Sequence, residues 1–167
     1  MTPLPSRTEP ASASAAGFRL RNARRGDVES LSALIIELGF AEGCDASIVH
    51  WVLSHPETEV IVAVDAMDKP IGMVALSHRP QLRLKGRRAT IDELVVLPHW
   101  RKKGVGRALL QRAIERAKAL AVKKLILTAE LDHADGPGFS QKLGFSETGA
   151  HVLRLDIIPA SAPTRTQ

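Results

Sequence analysis

Between Leu94 and Leu110 the chain reads LVVLPHWRKKGVGRALL: an apolar run, a proline, three consecutive cations and two glycines that open a second apolar periodicity. That order of residues suits phosphate binding. Pro98 cannot donate to a strand ladder and ends the apolar run as a strand. Gly104 and Gly106 let the backbone of the following turn approach a ligand without a Cβ in the way. The helix that begins there leaves its first N–H groups, Val105 among them, without helical partners, and its dipole favours an anion. Arg101, Lys102, Lys103 and Arg107 add positive charge, so a pyrophosphate is the ligand this segment fits. Just upstream stand two adjacent carboxylates, Asp92 and Glu93, able to move protons beside whatever the cradle holds.

A dinucleotide fingerprint needs a third glycine and a Walker loop needs Gly-Lys-Ser/Thr; Arg107 follows Gly106 where neither fits. The pattern that does fit is R-x-x-G-x-G after an apolar strand, here Arg101, Gly104 and Gly106. About 40 residues later comes Phe139-Ser140-Gln141-Lys142-Leu143-Gly144-Phe145. On these two motifs the chain resembles the GCN5-related N-acetyltransferases, from about Phe18 to about Ile157. The resemblance implies an α/β fold: a mixed, mostly antiparallel twisted sheet with a parallel, splayed strand pair and helices on both faces. It also implies acetyl-coenzyme A as co-substrate, its pantetheine arm against the backbone of Leu94, Val95 and Val96 and its phosphates on the segment from Arg101 to Arg107. The implied reaction is direct attack of a primary amine, of a small molecule or a peptide, on the thioester.

The family often takes its base from this strand, acting through water. Strand alternation sends Asp92 and Glu93 to opposite faces, so one of them reaches the cleft; Asp92 is the first choice, and a β-bulge would reverse it. Either carboxylate could instead pair with a neighbour such as Arg88. At the position of Ser140 many members carry a tyrosine that protonates the departing thiolate, and the chain has no tyrosine at all. His133 stands where relatives frequently have an asparagine that contacts the cofactor arm. The run Asp135-Gly136-Pro137-Gly138 predicts a late, shortened helix starting near Pro137.

The elements that must position these groups can be read from periodicity. Phe18 to Asn22 forms a first strand. Asp27 N-caps a helix whose Val28, Leu31, Leu34, Ile35 and Leu38 share a face, ending at Gly39. Asp45 caps a shorter helix carrying Ile48, Val49, Val52 and Leu53. Val60 to Val64 and Ile71 to Ser77 are strands joined by the Asp65-to-Pro70 turn. Thr90 to Val96 is the motif strand, and the next helix sets Val105, Leu109, Ala113, Ile114, Ala117 and Leu120 on one side. Leu125 to Ala129 reads as a buried strand reached by a right-handed crossover. The stretch from Phe145 and then Val152 to Ile157 is expected to close the sheet.

At 167 residues and 44% hydrophobic content the chain suits one domain, expected over residues 18–158, with Pro- and Ser-rich tails at 1–17 and 159–167. No apolar run suggests a signal or a membrane span, and a single cysteine, Cys44, suits a reducing cytoplasm. The net charge of +5 is uneven: nine Lys or Arg lie between Arg101 and Lys124 against one acid, Glu115. Nucleic acid would be the alternative partner, but no helix-turn-helix, zinc finger or aromatic platform accompanies the charge. Six scattered histidines form no metal-ligand spacing, so no metal is expected. Glu37, Glu42 and Asp45 are candidates for attracting a cationic amine. Two further readings remain open: an acyl-coenzyme A sensor with little turnover, prompted by the missing tyrosine, and a homodimer.

Overall fold

The structure is a computed structural model that describes residues 17–128, 138–150 and 153–157. Five strands form one sheet in the order β1-β2-β3-β4-β5. They are β1 (Arg19–Asn22), β2 (Thr58–Val64), β3 (Pro70–Gln81), β4 (Gly86–Val96) and β5 (Val122–Ile126). The first three pairings are antiparallel and β4 with β5 is parallel. Helices α1 (Val28–Glu37), α2 (Ala46–Ser54) and α3 (Val105–Ala119) connect them.

Two apolar layers follow from strand alternation. One face of the sheet packs Val62, Val64, Met73 and Val95 against Leu31 and Leu34 of α1 and Val49 of α2. The other packs Val74, Leu76, Ile91, Leu94 and Val96 against Val105, Leu109, Leu110 and Ala113 of α3. Gly72 sets how close α3 lies: a Cβ there would stand 3.0 Å from Val95 O, 3.2 Å from Leu109 Cδ1 and 3.3 Å from Val105 Cγ1. The first turn of α3 is thereby held down against the end of β4.

The N-terminal edge is locked by charge. Arg21 is bonded to both oxygens of Asp27, at 2.8 and 2.9 Å, and to Asp68 at 2.9 Å. Arg19 pairs with Asp68 as well, tying β1 to the β2–β3 turn. Asp27 does stand at the start of α1, but its side chain makes no cap there. It accepts instead from Arg21 and from Arg24 N at 2.7 Å, since a bidentate charged partner outcompetes a helix N–H. Burial would raise the Asp27 pKa, yet the bonds from Arg21 and Arg24 outweigh it and hold the carboxyl below its ordinary value. Asp45, by contrast, caps α2 as expected, accepting from Ile48 N at 2.9 Å.

Three expectations need correction. The crossover strand is β5 at Val122–Ile126, earlier than Leu125 to Ala129. Only Leu120 and Ala121 separate it from α3, and it carries exposed Lys123 and Lys124, as an edge does. Residues 145–150 and 153–157 are not strands; Leu153, Leu155 and Ile157 alternate like one but are exposed and find no ladder among the described residues. The late helix is, over residues 138–144, a turn and a single 3-10 turn at Gln141–Leu143. Pro137, Ala129, Val152 and nearly all of both predicted tails lie outside the described residues.

Candidate functional site

Strand β5 follows β4 from Arg87 opposite Val122 to Thr90 opposite Ile126 and no further. Beyond Thr90 the β5-side edge of β4 has no strand partner among the described residues. The bond from Leu97 N to Ile71 O, 2.9 Å, sets the phase of the ladder on the other side. With alternate residues bonding to β3, Val95 turns its backbone toward Met73, while Leu94 and Val96 turn theirs into the gap beside β5. The ladder of the two parallel strands therefore ends before Leu94 to Val96, the backbone that the resemblance assigns to the cofactor arm.

Below that open edge lies the loop to α3. Pro98–Trp100 makes one 3-10 turn. Lys102 (φ 59°) and Gly104 (φ 83°) then take left-handed conformations. Gly104 is the N-cap of α3, and the first helical bond runs from Ala108 N to Gly104 O at 3.0 Å. The N–H groups of the preceding turn, including those of Val105 and Gly106, are thus left to face outward. A Cβ on Gly104 would meet no protein atom within 4 Å. The space in front of the helix N-terminus is open, as a phosphate cradle requires.

Not all four cations of the motif face that space. Arg101 donates from Nε to Val96 O at 3.0 Å and from its terminal nitrogen to Glu37 Oε1 at 2.7 Å. Lys103 Nζ lies 5.3 Å from the Trp100 ring centroid, a cation–π distance. Lys102 and Arg107 are exposed. Glu37 was a candidate for attracting an amine and is instead the partner of Arg101; Asp45 is occupied capping α2. The sequence carries no signal for the Arg101–Glu37 pair, whose members are 64 residues apart.

The two carboxylates are sorted by a bulge. Ala75 pairs with Glu93 and Leu76 with Ile91, so Asp92 is the extra residue on β4. Ile91 and Leu94 consequently both face α3, whereas Glu93 and Val95 face α1 and α2. This bulge is the condition under which the first choice of Asp92 passes to Glu93. Glu93 is partly buried, and burial, reinforced by the charge of Asp92, pushes its pKa up to about 7. Asp92 is more exposed and is raised too, by desolvation that hydrogen bonds from Ser77 only partly offset. Arg88 makes no ion pair with either carboxylate. Cys44, between α1 and α2, is close enough for Glu93 to add to the rise of its thiol pKa, which burial dominates.

Ser140 is buried at 5% exposure, and Phe139 beside it joins the core under α3. The carbonyl of Ser140 accepts from Leu143 N at 2.9 Å, closing the 3-10 turn. His133 lies outside the described residues. His78 is on the α3 face, away from Glu93, buried and 3.0 Å from Arg87, with its pKa lowered by burial and by that guanidinium. Among the described residues no group of three or more His, Cys, Asp or Glu could hold a metal ion, and no helix is long and apolar enough to cross a membrane.

A five-stranded sheet with one parallel pair that ends short of the end of β4, and a bulge at Asp92, can be set beside known proteins. The profile of the acetyltransferase (GNAT) family matches residues 28–145, and the chain belongs to that family. It is 31% identical over 98 residues to an uncharacterized N-acetyltransferase of Methanocaldococcus jannaschii, covering 58% of this chain and 43% of that protein. It is 34% identical over 92 residues to the L-methionine sulfoximine/L-methionine sulfone acetyltransferase of Pseudomonas aeruginosa, covering 54% and 52%. The chain thus matches about half the length of these curated relatives. Among solved structures, a transcriptional regulator from Bacillus halodurans superposes with a TM-score of 0.72 at 26% identity, over 83% of this chain and 99% of that one. A Trypanosoma brucei acetyltransferase gives 0.70 at 23%, over 84% and 99%, which speaks to the fold.

Proposed function

We propose that the protein is an acetyl-coenzyme A-dependent N-acetyltransferase that acetylates a primary amine by direct attack in a ternary complex. The observation that carries this reading is Glu93: a carboxyl with a pKa of about 7, on a bulged strand whose next residues turn open backbone toward a helix N-terminal cradle. No protein atom stands in front of Gly104, which leaves room for a pyrophosphate that the outward N–H groups of the first turn of α3, Lys102 and Arg107 would hold. Arg101 acts one step back, by fixing the loop to Val96 and Glu37. The backbone groups of Leu94 and the N–H of Val96, whose carbonyl is held by Arg101, would bond the amide-bearing arm of the co-substrate, which supplies the acetyl thioester.

An ammonium has no lone pair to attack with, so the acceptor must lose a proton first. Glu93 accepts it, directly or through water, because its pKa lies near neutral pH, where a base is both unprotonated and strong enough. Burial keeps Glu93 basic, and the charge of the neighbouring Asp92 adds to it. Holding both substrates in register supplies on the order of 7 to 11 kcal/mol of the acceleration. The thiolate leaves without a tyrosine: a thiol of pKa about 8.5 is already a tolerable leaving group. The Ser140 hydroxyl is a far weaker acid than a phenol.

The match to an amino-acid acetyltransferase supports an α-amino acceptor as the first to try. The buried Ser140 in place of a phenol favours one second reading, an acyl-coenzyme A sensor with little turnover. Release of free thiol from acetyl-coenzyme A is the deciding measurement, made across amino acids, their sulfoximine and sulfone derivatives, polyamines and peptides. Amine-dependent thiol release supports transfer. Tight binding of coenzyme A by calorimetry with no amine-dependent release selects the sensor.

A further inference from the structure

The sheet face that carries Asp92 and Glu93 continues past them toward the β3–β4 turn. First come Ser77 and Thr90, paired across β3 and β4. One step further, Arg79 of β3 lies opposite Arg88 of β4, and Arg88 lies opposite Lys124 of β5. Alternation places all three on the Glu93 face, because their neighbours Ala89 and Leu125 pack on the α3 side. Three cations therefore stand in one row across three adjacent strands. Like charges set directly opposite one another destabilise a sheet. No carboxylate among the described residues forms an ion pair with any of the three. Arg88 Nε is buried without a hydrogen-bond partner, while Arg79 and Lys124 are exposed.

We propose that this row is an anion subsite for the acceptor, and that the acceptor is an extended peptide whose acidic side chains lie several residues from the amine that reacts at Glu93. The inference rests on the acetyltransferase reading for the role of Glu93. Ala75, opposite Glu93, and Arg79, opposite Arg88, are separated by four residue steps on β3, or about 13 Å. A free amino acid is too short to reach both ends, and about four extended peptide residues span it. Carboxylates at that distance would relieve the repulsion within the row.

The test uses two labelled peptides with free amino termini, one carrying Asp at its fourth and fifth positions and one carrying Asn there, and reads binding by fluorescence anisotropy. The acidic peptide is expected to bind about tenfold more tightly at low salt, the advantage shrinking as salt is raised. The variant combining Arg79→Gln, Arg88→Gln and Lys124→Gln should lose that advantage and keep its affinity for coenzyme A and for the Asn peptide. Arg79→Gln alone, at an exposed position, should lose part of it and guards against misfolding of the triple variant. Equal affinity of both peptides for the wild type overturns the proposal, as does a preference that survives in the variants. Displacement of the acidic peptide by a single-stranded oligonucleotide at much lower concentration would assign the row to nucleic acid and also overturn it. Binding is read without turnover, so loss of the acidic preference overturns the row alone, whereas absence of amine-dependent thiol release across the whole amine screen overturns the transferase reading and with it the acceptor role of the row.

Discussion

Glu37, the last residue of α1, and Arg101, in the loop before α3, form an ion pair at 2.7 Å that joins the helix on one face of the sheet to the segment that opens the helix on the other. The same guanidinium holds Val96 O, so one side chain fixes the end of β4, the end of α1 and the candidate phosphate loop relative to one another.

Because both members of the pair are partly exposed, its removal should cost little stability. Glu37→Gln is expected to lower stability by about 0.2–1 kcal/mol. Arg101→Ala also loses the bond to Val96 O and should weaken coenzyme A binding more than Glu37→Gln does. Calorimetry and thermal melting of both variants check the order; equal effects on affinity would show that the Val96 contact is idle.

The elevated Glu93 makes activity depend on pH in a stated direction. The base must be unprotonated, so kcat/KM should rise with pH and level off above about 7. Glu93→Gln should lower turnover by roughly 10² to 10⁴ at neutral pH while coenzyme A affinity stays within a few-fold. Asp92→Asn leaves the burial that chiefly raises Glu93 and removes the smaller, coulombic cause, so it should move the midpoint of the profile part of the way to lower pH. A mild Glu93→Gln would place the base elsewhere, and a profile unmoved in Asp92→Asn would leave burial as the whole cause of the raised pKa.

The same carboxyl lowers stability at alkaline pH. With its folded pKa near 7 and its ordinary value 4.5, the folded state binds the proton more tightly than the unfolded one between those limits. Its contribution is therefore fully present below about 4.5 and is lost as pH rises through 7. Glu93→Gln should raise stability at pH 8 by up to about 3 kcal/mol and change it little at pH 4. Urea melts at the two pH values read this directly.

Asp27 works with the opposite sign. Its pKa is held below the ordinary value by Arg21 and Arg24, so the stabilisation is present above the unfolded pKa and is lost as pH falls through the depressed folded one. Asp27→Asn should cost roughly 2 kcal/mol or more at pH 7, since it strips the buried side of the Arg21 clamp. Melting curves from pH 7 to pH 2 should converge for wild type and variant.

Gly104 separates strain from ligand space. At φ 83° any side chain is disfavoured, and Gly104→Ala should cost about 1–2 kcal/mol. No protein atom lies within 4 Å of the added Cβ, so the folded protein survives, and the methyl group enters the space assigned to phosphates. Coenzyme A affinity should fall at least tenfold; an unchanged affinity would place the phosphates away from this loop.

What the sequence determined by itself is local. Pro98 stopping a strand, two glycines releasing a helix start, Asp45 capping α2 and the apolar face of α3 each depend on residues within a turn or two of one another. Backbone sterics and side-chain reach act at that range, so these features, and the family that carries them, were legible before any fold was known. Which carboxylate turns toward α1 and α2 was not legible, because the bulge at Asp92 arises from how β4 registers against β3. The pKa of Glu93 was not either, since burial is a property of the packed sheet. Nor could the chain announce that Arg101 would meet Glu37, that Asp27 would leave its helix for Arg21, or that Arg79, Arg88 and Lys124 would line up across three strands. Those are meetings between residues far apart in the chain, and only tertiary packing chooses the partners.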